Sequence, residues 1–499
     1  MSIPKICGIE TEYGISVVGA ADMNPITSSS ILINAYANEV AERTRWDFDG
    51  ETPQRDARGM DSLVSFPPEV ETHLVNTVLT NGARLYVDHA HPEYASPECR
   101  TPRDAVLFDR AGEIVLRRAM AAAQGGMPRG QSIVVYKNNS DGKGNTYGCH
   151  ENYLMDRATP FVKIVRYITP FFVSRQIFTG AGKVGSEAPG LDHSVVPFQL
   201  TQRADFFEEE VGLETTLKRP IVNTRDEPHA DASRYRRLHV IIGDANLSEY
   251  ASFLKVGTTA LVLAMIEDGA LDDLDIVLAT PVRSLRQISY GLDLKTEVPT
   301  VGRGEMTALQ IQWEYFERAV KYGDREGFEA LGSEDQGAWL LEEWERILSA
   351  LERDPMELAD TLDWVAKLQI VSGYRERHGL AWSDSKLAAI DLQYHDLRPE
   401  KSLAARAGLR TLVPEEAVIR AVTEPPTDTR AYFRGRCLEK YRDSVAAANW
   451  DSLIFDVGSD PLRRVPMMDP LRGTAHHVDT LLERSGSVVE LLRGLGAEG

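Results

Sequence analysis

Apolar and polar positions along the chain fall into two regimes. Early on, short runs carry β-branched or aromatic residues between Gly, Asn or Asp: KICGIET (5–11), ARLYVDH (83–89), SIVVYKNN (132–139) and LHVIIGD (238–244). Such runs predict strands. Helical apolar spacing marks 104–124 and 246–269, the second with Ser248 as cap and Gly269 as stop. Residues 305–375 then read as consecutive amphipathic helices. Strands that come first, with helices interleaved and then dominant, predict an α+β fold rather than strict βαβ alternation. Two stretches break the pattern. Residues 47–74 mix charge, Gly and Pro without a period, which predicts a long functional or mobile loop. EPPTD at 424–428 interrupts the chain, so a catalytic domain over 1–425 and a small C-terminal domain over 426–499 are expected.

A chain of 499 residues accommodates one large core and a smaller one. No apolar run approaches the length of a membrane span, MSIPKICG lacks the layout of a signal peptide, and four cysteines show no CxxC spacing. A reduced, cytoplasmic protein with no membrane partner is the expectation. The net charge of −20 argues against nucleic acid. Against that background the basic clusters LKRPIVNTR (217–225) and SRYRRLH (233–239) stand out as contacts for an anionic ligand or an acidic chain. The alternative is pairing with Asp226, Glu227 and Asp231.

The candidate chemistry follows from strand geometry. If Lys5–Ser16 opens as a strand, Glu10 and Glu12 share one face, about 6.5 Å apart, and such a pair calls for a cation. In NGARLYVDHAHPEYASPE (81–98), Arg84, Tyr86 and Asp88 line one face while Leu85 and Val87 take the other. The strand then breaks at His89, bringing Glu93 and Glu98 to the rim. This oxygen-rich set suits Mg²⁺; zinc is the competitor, through the HxH pair His89 and His91. In KNNSDGKGNTYGCHENYL (137–154), His150 and Asn152 would share a strand face near a metal or phosphate, the alternative being a polar loop before a capped helix. Arg225, Arg236, Arg237 and His239 are candidate anion contacts. TGAGKVG (179–185) is not a phosphate loop: Ile177 stands where the motif needs Gly and Val184 where it needs Ser or Thr. It is read instead as a flexible or substrate-contacting turn.

GIETEYGIS, NGARLYVD with HPEY, HENYL, VNTRDEPHAD, YRRLHVIIGDAN and PPTDTRAYFRG occur in order along nearly the whole chain. Together they resemble the Pup ligase and deamidase/depupylase family of the bacterial Pup–proteasome system. DHAHPEY (88–94) and RTRWDFDGETPQRDARGMD (43–61) resemble the deamidase/depupylase branch, although the segment between Asp61 and Asn81 is shorter than that branch's pattern. The resemblance implies a glutamine synthetase-like fold, an antiparallel sheet cradle packed with helices. It implies Mg²⁺ at Glu10, Tyr86 and Glu93, with Glu12 and His150 at a second metal position. It also implies nucleotide (ATP, or ADP plus phosphate) at Arg84, Ser96 and Trp450, and catalysis by Asp88. The reaction implied is hydrolysis: deamidation of the C-terminal Gln of Pup, and cleavage of the isopeptide bond between Pup and substrate lysines. Pup and pupylated proteins are then the partners of a monomeric enzyme, with Arg225, Arg236, Arg237 and His239 receiving the acidic Pup chain. The alternatives are an ATP-dependent Pup–protein ligase and a silent adaptor that binds Pup and nucleotide.

Overall fold

The protein is described from a computed structural model covering residues 2–20, 24–40, 44–59, 75–191, 194–458 and 460–496. Its centre is a six-stranded sheet. β1 (Cys7–Glu12), β2 (Asn76–Val78), β3 (Arg84–Asp88), β4 (His91–Ala95), β5 (Cys149–Asp156) and β6 (Tyr235–Val240) lie in the order β6-β5-β1-β4-β3-β2, every pairing antiparallel. β3 and β4 form a tight hairpin. Its turn is His89–Ala90, with His89 at φ +50°, so HPEYA is a paired strand and not the broken rim expected from sequence. SIVVY forms a strand as anticipated (Ser132–Tyr136), but in a separate ribbon with Gly14–Val18.

Alternation gives the sheet two chemically distinct faces. Ile9, Leu85, Val87, Tyr94, Cys149, Tyr153, Met155, Leu238 and Val240 point one way and are buried. Against this layer pack α1 (Pro102–Gln124), capped by Thr101, and α3 (Glu249–Glu267), capped by Ser248 and followed by Gly269 at φ +73°. Behind them lie α2 (Phe161–Thr179), α4 (Ala308–Glu326), α5 (Glu334–Arg353) and α6 (Asp363–His378). The last three are the amphipathic helices expected over 305–375. One expectation needs correcting: α3 is long and apolar enough to cross a membrane. Its whole length is buried inside the protein, and Lys255 within it donates to the Asp244 carbonyl at 2.7 Å and to Asn246 Oδ1 at 2.9 Å. It is a core helix.

The C-terminal part has its own apolar cluster around Phe433, Leu453, Phe455 and Leu491, but Trp46 and Val78 belong to it as well. Strand Arg45–Trp46 pairs in parallel with Val445–Ala448, at the edge of a sheet completed by Ser452–Phe455 and Arg463–Pro466. The C-terminal unit therefore borrows a strand from ahead of the expected boundary. The irregular stretch starting at 47 docks, in its described part, on 223–227: Ala57 N donates to the Thr224 carbonyl at 2.8 Å and Asp226 N to the Arg55 carbonyl at 2.8 Å. Residues 60–74 of that stretch lie outside the described residues. Cys7, Cys99, Cys149 and Cys437 are free and buried.

Candidate active site

The second face of the sheet is polar, and strand register assembles it. Glu12 lies opposite Glu93, and Glu93 opposite Tyr86. Glu10 lies opposite His150, and His239 opposite Asn152. Opposed residues on neighbouring strands share a face, so Arg84, Tyr86, Asp88, Glu93, Glu10, Glu12, His150, Arg237 and His239 converge on one concave surface. The opening acidic pair and the Arg/Tyr/Asp row, far apart in sequence, form a single site.

Asn152 organises one half of it. Its amide nitrogen donates to Glu10 Oε1 at 2.9 Å, and its carbonyl oxygen accepts from Arg237 Nη1 at 2.9 Å and faces His239 Nδ1 at 3.0 Å. His150 bridges the acidic pair, with Nδ1 3.6 Å from Glu10 and Nε2 3.8 Å from Glu12. Glu12 also accepts from Gly148 N at 2.8 Å, and His91 Nδ1 lies 3.7 Å away. Asp88 sits at the hairpin tip, 29% exposed, with His89 Nδ1 at 3.0 Å from Oδ2.

These surroundings set the protonation. Burial alone would push Glu12 up, but His91, His150 and the Gly148 amide overcome it and hold its carboxyl at about 2. Glu10 is likewise lowered against its burial, by His150 and Arg237. Glu93, 1% exposed, goes the other way: burial and then the charges of Asp88, Glu12 and Glu10 raise it well above the carboxylate range. Burial also keeps His239 and His229 neutral, with Arg237 adding to it. A neutral imidazole is the ligand form.

Two groups of potential ligand atoms each lie within 4.8 Å of one another: Glu12, Asp88 and Glu93, and Glu10, His150 and His239. The first is all oxygen and Tyr86 borders it, a donor set that fits a hard cation such as Mg²⁺. The second mixes nitrogen and oxygen. Among the described residues no such group contains both His89 and His91. His91 stacks on Tyr147 at 4.2 Å between ring centroids while His89 turns to Asp88, so the HxH pair gives no zinc site.

Two recesses flank this row. One is a cleft lined by Gly8, Glu10, Ser96, Glu98, His229, Arg237, Arg430 and Trp450, with Ser96 Oγ accepting from Ile9 N at 2.9 Å. The Arg84 guanidinium is sandwiched 3.9 Å from both the Trp46 and Tyr86 rings, and Trp46 meets Trp450 edge-on at 5.3 Å. Aromatic surface, a hydroxyl and several cations around one cleft suit a nucleotide. The other recess is lined by Glu12, Asp88, His91, His150, Arg203 and Arg219. Arg219 comes from the basic cluster 217–225, whereas Arg203 enters from a segment with no basic cluster.

The four basic residues taken for substrate contacts separate. Arg237 and His239 lie inside the site on Asn152, not on a docking surface. Arg225 acts electrostatically on Glu10, His229 and His239, and its backbone bridges Asp56. Arg236 is excluded by alternation: it points to the opposite face, donating to the Thr159 carbonyl at 2.8 Å with Asp226 at 3.6 Å. TGAGKVG is a packed turn rather than a flexible one. Asp244 accepts from Ala181 N at 2.8 Å, and Lys183 is paired with Glu187. His229 and Arg430 were missed in the sequence, although Arg430 and Arg434 stand four apart in TRAYFRG and so share a helix face.

Comparison with known proteins adds the lineage. Residues 5–454 match the model of the Pup-ligase protein family. The chain is 54% identical to the depupylase of Acidothermus cellulolyticus, covering 98% of this chain and 99% of that one. It is 50% identical to the Pup deamidase/depupylase of Mycobacterium tuberculosis, covering 99% of both. Among solved structures it resembles the complex between Pup and its ligase PafA, with a TM-score of 0.79 and 31% identity over 96% of this chain and 91% of that one. It also resembles PafA in complex with ADP, with a TM-score of 0.72 and 32% identity over 88% and 99%.

Proposed function

The chain belongs to the Pup-ligase family, and from that premise we infer that it is the hydrolytic member of the pathway, a Pup deamidase and depupylase. It converts the C-terminal Gln of Pup to Glu and cleaves the isopeptide bond between Pup and substrate lysines. One observation carries this choice over ligation: identity to proteins named for depupylation is 50–54% over the full length, against 42% over 82% of this chain to the Pup–protein ligase of Acidimicrobium ferrooxidans. A silent adaptor has no use for so closely set a group of titrating side chains. The free, buried thiols support a reducing, cytoplasmic setting.

We read the aromatic cleft as the nucleotide seat, with Trp450 against the base, Ser96 on the floor, and Arg84, Arg237 and His229 toward the phosphates. The resemblance implies Glu10, Tyr86 and Glu93 for Mg²⁺, but Glu93 groups with Glu12 and Asp88, and Glu10 with His150 and His239. Mg²⁺ would therefore be held by Glu12 and Glu93 beside Tyr86, with Glu10, His150 and His239 serving a second position; when bound it supplies positive charge beside the scissile carbonyl. Asp88 faces the other recess, where the Pup terminus would present its side-chain amide. There Asp88 takes a proton from a water whose oxygen attacks the carbonyl, or attacks it directly to form an anhydride that a water then hydrolyses to restore the carboxylate; in both cases water supplies the net oxygen and the proton for the leaving nitrogen. The C–N bond breaks, and the leaving nitrogen departs with that proton as ammonia or as the lysine amine. Arg203 and Arg219 share the recess with Asp88 and are the cations there to meet the developing oxyanion.

Asp88→Asn should abolish both deamidation of Gln-ended Pup and cleavage of a pupylated protein, with nucleotide affinity unchanged by calorimetry. Retention of either rate would remove Asp88 from the mechanism.

A further inference from the structure

Glu98 lies just past β4, on the wall of the aromatic cleft. Its carboxylate accepts from Arg430 Nε at 2.7 Å and from Arg434 Nη1 at 3.2 Å, and pairs a second time with Arg434 Nη2. Both arginines are buried, 3% and 0% exposed. They stand four residues apart at the start of α7 (Ala431–Lys440), so both reach one carboxylate.

Where their remaining donors go is informative. Arg430 Nη1 donates to the Met467 carbonyl at 2.8 Å. Arg434 Nε and Nη2 donate to the Gly82 carbonyl at 3.2 and 2.8 Å, at the turn before β3. Arg434 Nη1 donates to the Trp450 carbonyl at 3.0 Å, and its guanidinium lies 5.1 Å from the Trp450 ring centroid. One carboxylate, 14% exposed, thus ties the catalytic sheet, through two fixed forks, to the segment that carries Trp450. A guanidinium satisfied on several sides has one orientation, and the indole it supports has one as well.

We propose that Glu98 and Arg434 form a positioning device for the nucleotide. They fix the Trp450 indole against the Gly8–Ser96 floor and so set nucleotide affinity without touching the reacting amide. The proposal rests on the nucleotide reading of this cleft. Glu98 on the sheet side and Arg434 on the C-terminal side make occupancy of the cleft depend on the docking of the C-terminal unit.

The test is a double-mutant cycle on the full-length protein, with Mg-ADP affinity read by calorimetry and with kcat and the nucleotide KM read from deamidation of Gln-ended Pup. Glu98→Gln and Arg434→Lys are each made alone and together with Trp450→Ala; the lysine variant keeps the charge and loses the fork, so it folds even if the amide variant does not. In the wild-type background each should weaken ADP about ten-fold and raise the nucleotide KM alike, with kcat at saturating nucleotide within about two-fold. With Trp450→Ala already present, neither should add more than about two-fold, because interacting residues are non-additive. Equal weakening in both backgrounds, or none in the wild type, overturns the proposal. If Trp450→Ala alone leaves ADP affinity unchanged, the nucleotide reading of the cleft falls, and the positioning device with it.

Discussion

Asn152 has no acid–base chemistry of its own, yet it determines where Glu10 points. Replacing it by Ala removes the amide donor on Glu10 and frees Arg237 and His239 to approach a carboxylate meant for a metal. Outer partners of this kind are worth about 10–100-fold in metal affinity. Asn152→Ala is therefore expected to raise the Mg²⁺ concentration for half-maximal deamidation by about that factor; an unchanged requirement would show that Glu10 needs no such support. Much of the acidic row was legible in the sequence, because alternation alone places Glu10 with Glu12 and Tyr86 with Asp88. The same rule excludes Arg236, and reading YRR as a charged cluster overlooked it. His229 and Arg203 could not be found that way, since tertiary packing alone brings them to the site; Arg219 stood in the basic cluster 217–225, but only packing places it beside Asp88.

At the scale of elements, the hairpin of β3 and β4 and the fit of α1 beneath it carry the site. A Cβ on Gly112 of α1 would lie 2.7 and 2.9 Å from two atoms of the Tyr94 ring, far inside contact distance. Tyr94 cannot swing away, being 1% exposed with its hydroxyl accepting from Asn81 Nδ2 at 3.0 Å. Alanine favours a helix by about 1 kcal/mol over glycine, but overpacking costs about 1–3 kcal/mol. Gly112→Ala should therefore lower the thermal midpoint; a rise would mean that the helix is not pinned to β4. The amphipathic helices were legible from their period and caps. β4 was not, because Pro92 and two histidines mask it. α2 carries Pro170 and is buried on all sides from Tyr167 onward, which erased the period that would have marked it.

Taken whole, the molecule sets a polar sheet face between a nucleotide-shaped cleft and an arginine-lined recess, and closes the cleft with a C-terminal unit that takes Trp46 from the N-terminal part. That closure was only partly visible in the sequence: EPPTD marked the break in the chain, but a two-residue parallel strand from 45–46 leaves no pattern. The central claim is that this arrangement hydrolyses an amide beside a nucleotide that is held rather than spent. The most direct measurement follows ammonia and ADP together while the protein acts on Gln-ended Pup with Mg²⁺ and ATP, with a lysine-bearing acceptor protein present. The account predicts ammonia accumulating over many turnovers with no matching ADP and no conjugate. ADP appearing in step with a Pup conjugate, without ammonia release beyond it, would contradict it.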